Sequence, residues 1–280
     1  MTEAITVTRH ASGLGRWEMA GRAPHPALRG HLSRYAGYWE DTVPLRRREV
    51  PSGVVPLIIS FGDPIDVSGL GEPRHLVTSF AGGLTDAPAI TEHGGRQHGV
   101  QVDLTPLGAY RLFGVPMREL ANRVVALDDL FGPAARVLAE RLAGAPGWAA
   151  RFALLDDELA RRLVAGPEPS AEVAWAWRRL VRTGGTLRVG ELAREVEWSP
   201  RHLVTRFGDQ VGMSPKPVAR MLRFQRAARL ALRGAPLAAI AVRCGYYDQA
   251  HLNREFRALA GCTPSGYRAA VLPDNGGVAG

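Results

Sequence analysis

The sequence predicts a two-domain α+β protein, with an antiparallel β-barrel domain first and an all-α domain second. Short apolar runs separated by Gly, Pro and Asp fill much of the first hundred residues, which is typical of antiparallel strands. From Asp128 onward, apolar residues recur at helical spacing instead. The C-terminal part also contains an internal repeat with an offset of 48 or 49 residues, so its helices should form two similar units.

The β-rich part is expected to contain strands at 53–61, 74–83 and 98–104. No helix is predicted between them, and this favours an antiparallel barrel or sandwich over a doubly wound sheet. A run of charged residues at 46–49, RRRE, is interpreted as a solvated strand end. A short helix should follow the last strand, with Thr105 as its N-cap.

Two longer amphipathic helices are predicted next, at 132–144 and 148–166. Each has one apolar face and ends in Gly, as helix C-termini often do. The segment 165–171 contains Pro and Gly and is the predicted linker, which gives domains 1–165 and 170–272. The second domain is expected to fold alone. The stripe on the second helix could pack within its own domain or form a dimer interface; its residues are Phe152, Leu155, Leu159 and Leu163.

The positive charge is concentrated in the repeat. Residues 1–183 hold 21 basic and 20 acidic side chains, a net of +1, whereas residues 184–270 hold 14 basic and 6 acidic ones, a net of +8. Asp274 supplies the remaining −1, so the total is +8. A basic module beside a nearly neutral one indicates that the C-terminal domain contacts a polyanion.

The internal repeat aligns two helix-turn-helix units, at about 187–208 and 236–257. The offset is 48 residues before the turn and 49 after it, as between Phe207 and Phe256. Gly245 occupies the turn of the second unit, where a positive φ is easiest for glycine. The first unit has Glu197 at that position, which puts its turn geometry in question.

A long helix should connect the two units. The segment 214–234 predicts roughly 18 helical residues, or about 27 Å, with Ser214 as the cap and Pro215 and Pro217 in the first turn. Such a strut could hold two recognition helices about 34 Å apart, which is one turn of DNA. The residues predicted on its buried side are Val218, Met221, Leu222 and Leu232. Those predicted to form a basic row are Arg220, Arg223, Arg226 and Arg229.

The second helix of each unit has a buried face and a polar face. Ser199 and Asp248 are the predicted N-caps. The buried face is predicted at Leu203 and Phe207 in the first unit and at Leu252 and Phe256 in the second. The opposite face of the second unit presents amides and guanidinium groups, and these side chains can form bidentate hydrogen bonds to base edges. The pattern therefore predicts a helix that faces a major groove.

Residues from about 170 to 271 resemble the DNA-binding domain of the AraC/XylS family of transcriptional regulators. The specific part is IAVRCGYYDQAHLNREFRALAGCTPSGYR, which resembles the family signature IA-x3-G-[FY], D-Q-x-H-[FL], R-x-F, G-x-TP and YR. The N-terminal segments VDLTPLGAYRLFGVP and LDDLFG are similar to those of the β-barrel, cupin-like sensory domains that precede this module in many members. The resemblance implies a cytoplasmic bacterial regulator that reads asymmetric double-stranded DNA with two recognition helices.

The resemblance also implies site residues and partners. By position, the predicted base contacts are Pro200, Arg201, Val204, Thr205, Gln249, Ala250, Asn253 and Arg254. The predicted phosphate contacts are His202, Arg206, Lys216, His251 and Arg257. Amides suit adenine, guanidinium groups suit guanine, and the methyl groups of Val204 and Thr205 suit thymine. The further partners implied are an unidentified small-molecule effector, RNA polymerase if the protein activates, and a second copy in a homodimer.

The alternative is a bifunctional protein with an enzymatic or metal-binding barrel. His75, His93 and His98 lie near predicted strands, but the H-x-H spacing of barrel metal sites is absent, as are a Gly-rich phosphate loop and a nucleophile elbow. No cysteine precedes residue 150, which excludes the zinc-cysteine repair proteins that share this module. We therefore predict no enzyme activity, no catalytic residue, no metal and no cofactor.

Two further observations concern redox state and location. Cys244 and Cys262 are too few for a disulfide framework, and neither has an evident setting that would stabilise a thiolate for redox sensing. The sequence has no apolar run of about 18 residues and no signal peptide pattern at its start. We therefore expect a cytoplasmic protein that does not contact a membrane.

Overall fold

The computed structural model describes residues 4–71, 74–271 and 278–279. The strands are β1 Thr6–Ser12, β2 Gly15–Arg22, β3 Leu32–Thr42, β4 Leu45–Glu49, β5 Val55–Ser60, β6 Ile65–Ser68, β7 His75–Val77, β8 Phe80–Gly82, β9 Ala89–His93, β10 Arg96–Leu104, β11 Val124–Ala126 and β12 Val278–Ala279. The helices are α1 Pro106–Phe113, α2 Leu127–Phe131, α3 Ala134–Gly144, α4 Trp148–Ala165, α5 Ala171–Thr183, α6 Val189–Glu195, α7 Pro200–Val211, α8 Pro215–Leu232, α9 Leu237–Arg243, α10 Gln249–Ala260 and α11 Pro264–Ala270.

The strands form two antiparallel sheets, and all of them lie in the N-terminal half of the chain except β12, which comes from its C-terminal end. One has the strand order β1-β2-β3-β10-β5-β8-β11 and the other β12-β4-β9-β6-β7. The fold class is therefore as predicted, α+β with an antiparallel β domain, although the sheets do not close into a single barrel. The strands predicted at 53–61 and 98–104 are β5 and β10, which pair with each other. The predicted strand at 74–83 is instead two strands, β7 and β8, one in each sheet.

Helix α4 packs on strand β3 of its own domain. Phe152, Leu155 and Leu159 of its apolar stripe are fully buried, and the Phe152 ring stacks on Tyr35 of β3 with 5.6 Å between centroids. At the start of the helix, the Trp148 indole covers Gly37, where a Cβ atom would lie 2.3 Å from the ring. The stripe is therefore internal to the chain and does not form a dimer interface.

The two halves share one apolar core. It extends from Leu28 beside the sheet to Leu222 on α8 and includes the buried residues of α7. Helix α7 packs against α1 and against a 3-10 turn at Met117–Glu119. The predicted linker between α4 and α5 is also fixed, because the Ser170 amide donates to Gln210 Oε1 at 2.9 Å. The boundary at 165–170 is thus a break between helices and not a break in the core, and independent folding of 170–272 stays a prediction.

The second helix-turn-helix unit has a separate core. This cluster is built on the second half of α8, together with residues of α9, α10 and α11. The Phe224 and Phe256 rings lie 5.0 Å apart, and Phe256 and Tyr267 lie 5.9 Å apart. Helix α8 therefore passes from one core into the other between Leu222 and Phe224.

Candidate nucleic-acid interface

The two helix-turn-helix units repeat the same local structure. Each has a helix of 7 residues, α6 or α9, followed by a helix of 12 residues, α7 or α10. Equivalent backbone bonds close the two turns: the Trp198 amide donates to the Ala193 carbonyl at 3.0 Å, and the Tyr246 amide to the Ala241 carbonyl at 2.9 Å. The units end later than predicted, at Val211 and Ala260.

Both turns also share a left-handed backbone. Gly245 has φ 72° and Glu197 has φ 57°. A side chain disfavours this conformation, because Cβ crowds the backbone. The first unit nevertheless adopts the geometry of the second, since the bonds around the turn and the burial of Leu192 and Ala193 hold it there.

The N-caps fix where α7 and α10, the second helices of the two units, begin. Ser199 Oγ accepts from the His202 amide at 3.2 Å, and Asp248 Oδ1 accepts from the His251 amide at 2.6 Å. As predicted, the apolar faces are buried: the four residues have 0% exposure and are Leu203, Phe207, Leu252 and Phe256. The opposite faces of both helices are consequently turned to solvent.

The predicted base-contact residues occupy equivalent positions on the two helices. The four on α7 and the four on α10 are related by the offset of 49 residues, and within each helix they share one face. Those exposed to solvent are Pro200, Arg201, Val204, Thr205, Gln249, Ala250 and Arg254.

Asn253 differs from the rest of this set. It is only half exposed, and its Oδ1 atom is buried without a hydrogen-bond partner among the described residues. Adenine recognition uses both the oxygen and the nitrogen of an amide. The Asn253 side chain would therefore have to rotate to read a base.

The predicted phosphate contacts are of two kinds. Arg206, Lys216 and Arg257 are exposed, and within the described residues none of them forms an ion pair. The two histidines are held locally. The His202 ring meets Trp198 edge-on at 4.5 Å, while His251 is half-buried and its Nδ1 accepts from the Tyr247 amide at 3.4 Å. Only the Nε2 atom of His251 is left to face an outside partner.

Two of the four arginines in the predicted basic row of α8, Arg220 and Arg223, are engaged in contacts within the chain, while Arg229 is exposed. Arg220 Nε donates to Glu255 Oε2 at 2.8 Å and so links α8 to α10. Arg223 Nη1 donates to the carbonyl of Gly185 at 2.7 Å and links α8 to the loop after α5. The prediction that Leu232 is buried was wrong, because it is 42% exposed at the end of the helix.

One exposed aromatic residue was missed by the sequence analysis. Tyr247 precedes the N-cap of α10 and is 93% exposed, whereas the neighbouring Tyr246 is buried. Two consecutive side chains in a tight turn point in different directions. The pair of tyrosines in the sequence could therefore have indicated that one of the two rings is exposed. The position of Tyr247 places a phenol beside the N-terminal end of α10.

A cavity of about 710 Å³ lies between the two sheets. One side is a small apolar cluster that includes Tyr38, Ile58, Val67 and Phe80. The cavity also meets a buried ion pair, in which Arg47 Nη2 lies 2.9 Å from both carboxylate oxygens of Glu40. Residues of the C-terminal half close one edge; they are Gln225, Leu232, Tyr267 and Val271.

The three candidate metal-binding histidines lie on separate strands. His75 is on β7, His93 on β9 and His98 on β10. The His98 ring is between Phe61 and Trp148, and burial lowers the pKa of this imidazole. Within the described ranges, no group of three His, Cys, Asp or Glu residues could hold a metal ion.

The remaining predictions concern redox sensing by the two cysteines and contact with a membrane. Burial raises the pKa of both thiols, Cys244 and Cys262, which favours the protonated form over a reactive thiolate. Among residues 4–71, 74–271 and 278–279, no helix has the length and apolar character needed to cross a membrane.

Two family models match the chain. Residues 192–270 match a helix-turn-helix domain, and residues 21–126 match a domain of unknown function (DUF6597). Among curated proteins, the HTH-type transcriptional regulator Rv1931c of Mycobacterium tuberculosis is 38% identical over 90 residues, which are 32% of this chain and 35% of that protein. The chain thus matches about a third of the length of this relative.

Solved structures are also similar to this chain, over either a part or most of its length. The C-terminal domain of AraT, a response regulator from Geobacillus stearothermophilus, aligns with a TM-score of 0.35 and 25% identity over 37% of this chain and 88% of that one. ToxT from Vibrio cholerae aligns with a TM-score of 0.48 and 9% identity over 96% of this chain and 98% of that one. The match over residues 192–270, together with the signature in the second unit and the paired units of the fold, shows that this part of the chain is a helix-turn-helix domain that resembles those of AraC-type regulators.

Proposed function

We propose that the protein is a sequence-specific, double-stranded-DNA-binding regulator of transcription. The observation that carries this is the pair of equivalent helices α7 and α10, whose solvent faces present hydrogen-bonding and cationic side chains at matched positions. These helices lie in the part of the chain that holds the net charge of +8. Side chains of this kind suit base edges and phosphates in a major groove.

The proposed division of labour follows the chemistry of each side chain. Gln249 and, after rotation, Asn253 would read adenine, and Arg201 and Arg254 would read guanine. Val204 and Thr205 would contact thymine methyl groups, and Pro200 and Ala250 would set the close approach of each helix. The phosphate contacts would be His202, Arg206, Lys216, His251 and Arg257, which position the protein without reading sequence.

The test of this function is selection of binding sites from a random duplex library with the full-length protein. We expect one enriched sequence with two half-sites about one helical turn apart. Binding that shows no sequence preference, or that does not weaken with salt, would contradict the proposal.

Lys216→Ala is expected to weaken binding to all duplexes by a similar factor. Lys216 is exposed in the first turn of α8, and no carboxylate among the described residues pairs with it. Loss of one phosphate contact should reduce the slope of log K against log salt by about 0.9. Binding would be measured at several salt concentrations on the selected site and on a scrambled duplex. Lys216→Arg is the matched control and should keep the slope; a change of base preference would contradict the assignment.

We further propose that the N-terminal half is regulatory rather than enzymatic and that the cavity binds a small-molecule effector. The cavity supports this because it is bounded by both halves, so an occupant would contact the α8 and α11 residues at its edge. The curated relative is a transcriptional regulator, and the family model that matches residues 192–270 is a helix-turn-helix domain. A homodimer, and RNA polymerase if the protein activates, complete the proposed partners.

Val67→Trp is expected to abolish binding of the neutral fluorescent probe N-phenyl-1-naphthylamine. Val67 is 2% exposed and lines the cavity, so the indole would fill space that the probe needs. Overpacking should cost about 1–3 kcal/mol of stability, which circular dichroism would monitor. The control is Leu76→Trp on β7, where the side chain is 72% exposed. Equal probe fluorescence in the wild type and in Val67→Trp would show that the probe binds elsewhere.

A further inference from the structure

The recognition helices α7 and α10 meet the N-terminal half at equivalent points. Each helix ends at a glycine, and Gly212 and Gly261 are related by the offset of 49 residues. A Cβ atom at Gly212 would lie 3.3 Å from the carbonyl oxygen of Met117, and one at Gly261 would lie 3.4 Å from the guanidinium carbon of Arg48. Both C-terminal ends therefore lie against residues that belong to the N-terminal half.

The first contact is made by the 3-10 turn at Met117–Glu119. Met117 is 1% exposed and belongs to the core shared with α7. The next residue, Arg118, forms an ion pair with Asp209 in the last turn of α7. The end of the first recognition helix is thus fixed by an apolar contact and by a charge pair.

The second contact is made by strand β4. Arg48 Nη1 donates to the carbonyl of Ala260, the last residue of α10, at 3.3 Å. A cation is favourable at the C-terminal end of a helix, where carbonyl groups lack partners. Arg48 also approaches Cys262 and opposes the rise that burial causes in the pKa of this thiol. Val50, just after the strand, packs against the core of the second unit.

This arrangement corrects the interpretation of 46–49 as a solvated strand end. Successive residues of a strand point to opposite faces. Arg47 accordingly forms the ion pair with Glu40 beside the cavity, while Arg48 reaches α10 on the other side. One short strand therefore joins the cavity wall to the second unit.

The contact at Arg48 matters because the second unit has its own core. The first unit shares the core of the N-terminal half, but the second is built on the far part of α8 and is not continuous with it. Because the Phe224–Phe256 ring contact and the Arg220–Glu255 ion pair tie α10 to α8, α10 can pivot relative to α7 only together with the rest of the second unit and the end of α8. A duplex with a defined distance between half-sites requires that this pivot be restricted.

We propose that the N-terminal half sets the relative placement of the two recognition helices, with Arg48 as the positioning residue for α10 and Arg118 for α7. The inference rests on the proposed function. It predicts that the preferred distance between half-sites depends on residues that do not touch DNA.

The test uses the full-length protein on its selected site and on the same site with one base pair added or removed between the half-sites. One base pair shifts the half-sites by about 3.4 Å. The wild type should lose affinity by about tenfold on the altered sites, within the usual cost of a mismatched position. In Arg48→Ala, the ratio of the affinity for the selected site to that for the altered site, here called the spacing ratio, should fall to about threefold, because α10 can then adjust to the new spacing. Arg48→Lys, which can still donate to the Ala260 carbonyl, should restore most of the wild-type ratio.

The matched control is Arg46→Ala, two residues earlier on the same strand. Arg46 pairs with Glu92 within the sheet at 3.0 Å, so its loss removes the same charge and should leave the spacing ratio at the wild-type value. Amide hydrogen exchange at the end of α10 would be compared in parallel, and Arg48→Ala should accelerate it. Equal spacing ratios for the wild type and Arg48→Ala would overturn the positioning role alone. Failure of the wild type to bind any duplex would overturn the proposed function and this inference together.

Discussion

Phe256→Ala is expected to unfold the second helix-turn-helix unit while the rest of the chain stays folded. Phe256 is fully buried, and its ring contacts Phe224 of α8 and Tyr267 of α11 edge-on. Truncation of a buried aromatic residue typically costs about 3–5 kcal/mol, because it removes apolar contacts and leaves a cavity. The loss should be confined to this unit, since its core is separate from the larger one.

Urea denaturation followed by hydrogen exchange would measure this effect. We expect two transitions in Phe256→Ala, the earlier one from α9, α10 and α11. Tyr247→Ala is the control, because it removes an aromatic ring from a side chain that is 93% exposed. A single transition with an unfolding free energy within about 0.5 kcal/mol of the wild type, as for a surface change, would contradict the assigned packing.

Arg254→Ala is expected to weaken binding to the selected site by about 1–3 kcal/mol and to relax base preference at one position. Arg254 is exposed on α10 and has no ion-pair partner in the described part of the chain. Its guanidinium group is free to make two hydrogen bonds to guanine, and alanine cannot replace them.

Arg257→Ala separates this reading role from simple charge loss. Arg257 is exposed three residues further along the same helix, and we assign it to phosphate. Its loss should weaken all sequences by a similar factor, whereas Arg254→Ala should flatten one column of the base-preference profile. Both variants would be measured on a library of single-base changes, with circular dichroism as the check of folding. Uniform weakening by Arg254→Ala would mean that its guanidinium group contacts phosphate.

The C-terminal half could be predicted well because its signals are local. Ser199 and Asp248 mark the helix starts through caps that reach only three residues along the chain. The change of offset from 48 to 49 corresponds to one extra residue between the helices of the second unit. Even Glu197, which put the turn of the first unit in question, adopts a left-handed backbone. What the local pattern missed was a contact with distant partners, such as Arg223 with Gly185.

The N-terminal half was harder to predict because the order of its strands depends on pairing between residues that are far apart in the sequence. Strands β1 to β4 carry charged residues that break an apolar alternation, as in the run 45–49. These charges are accommodated by partners far along the chain: Arg48 meets Ala260, which is 212 residues away. The segment 74–83 was predicted to be one strand for a similar reason, since the crossing between sheets is decided by the strands that β7 and β8 pair with.

The passage of α8 through both cores determines where this chain can be recombined with a relative. A chimera joined at 165–171 would cut no helix, yet it would match a foreign first unit to the surface formed by α1 and Met117. A junction between Leu222 and Phe224 would instead keep each core whole and exchange only the second reading helix. For grafting new sequence preferences onto this protein, the exchangeable module is thus half of the proposed DNA-binding region, and Arg48 is the residue with which the graft must remain compatible.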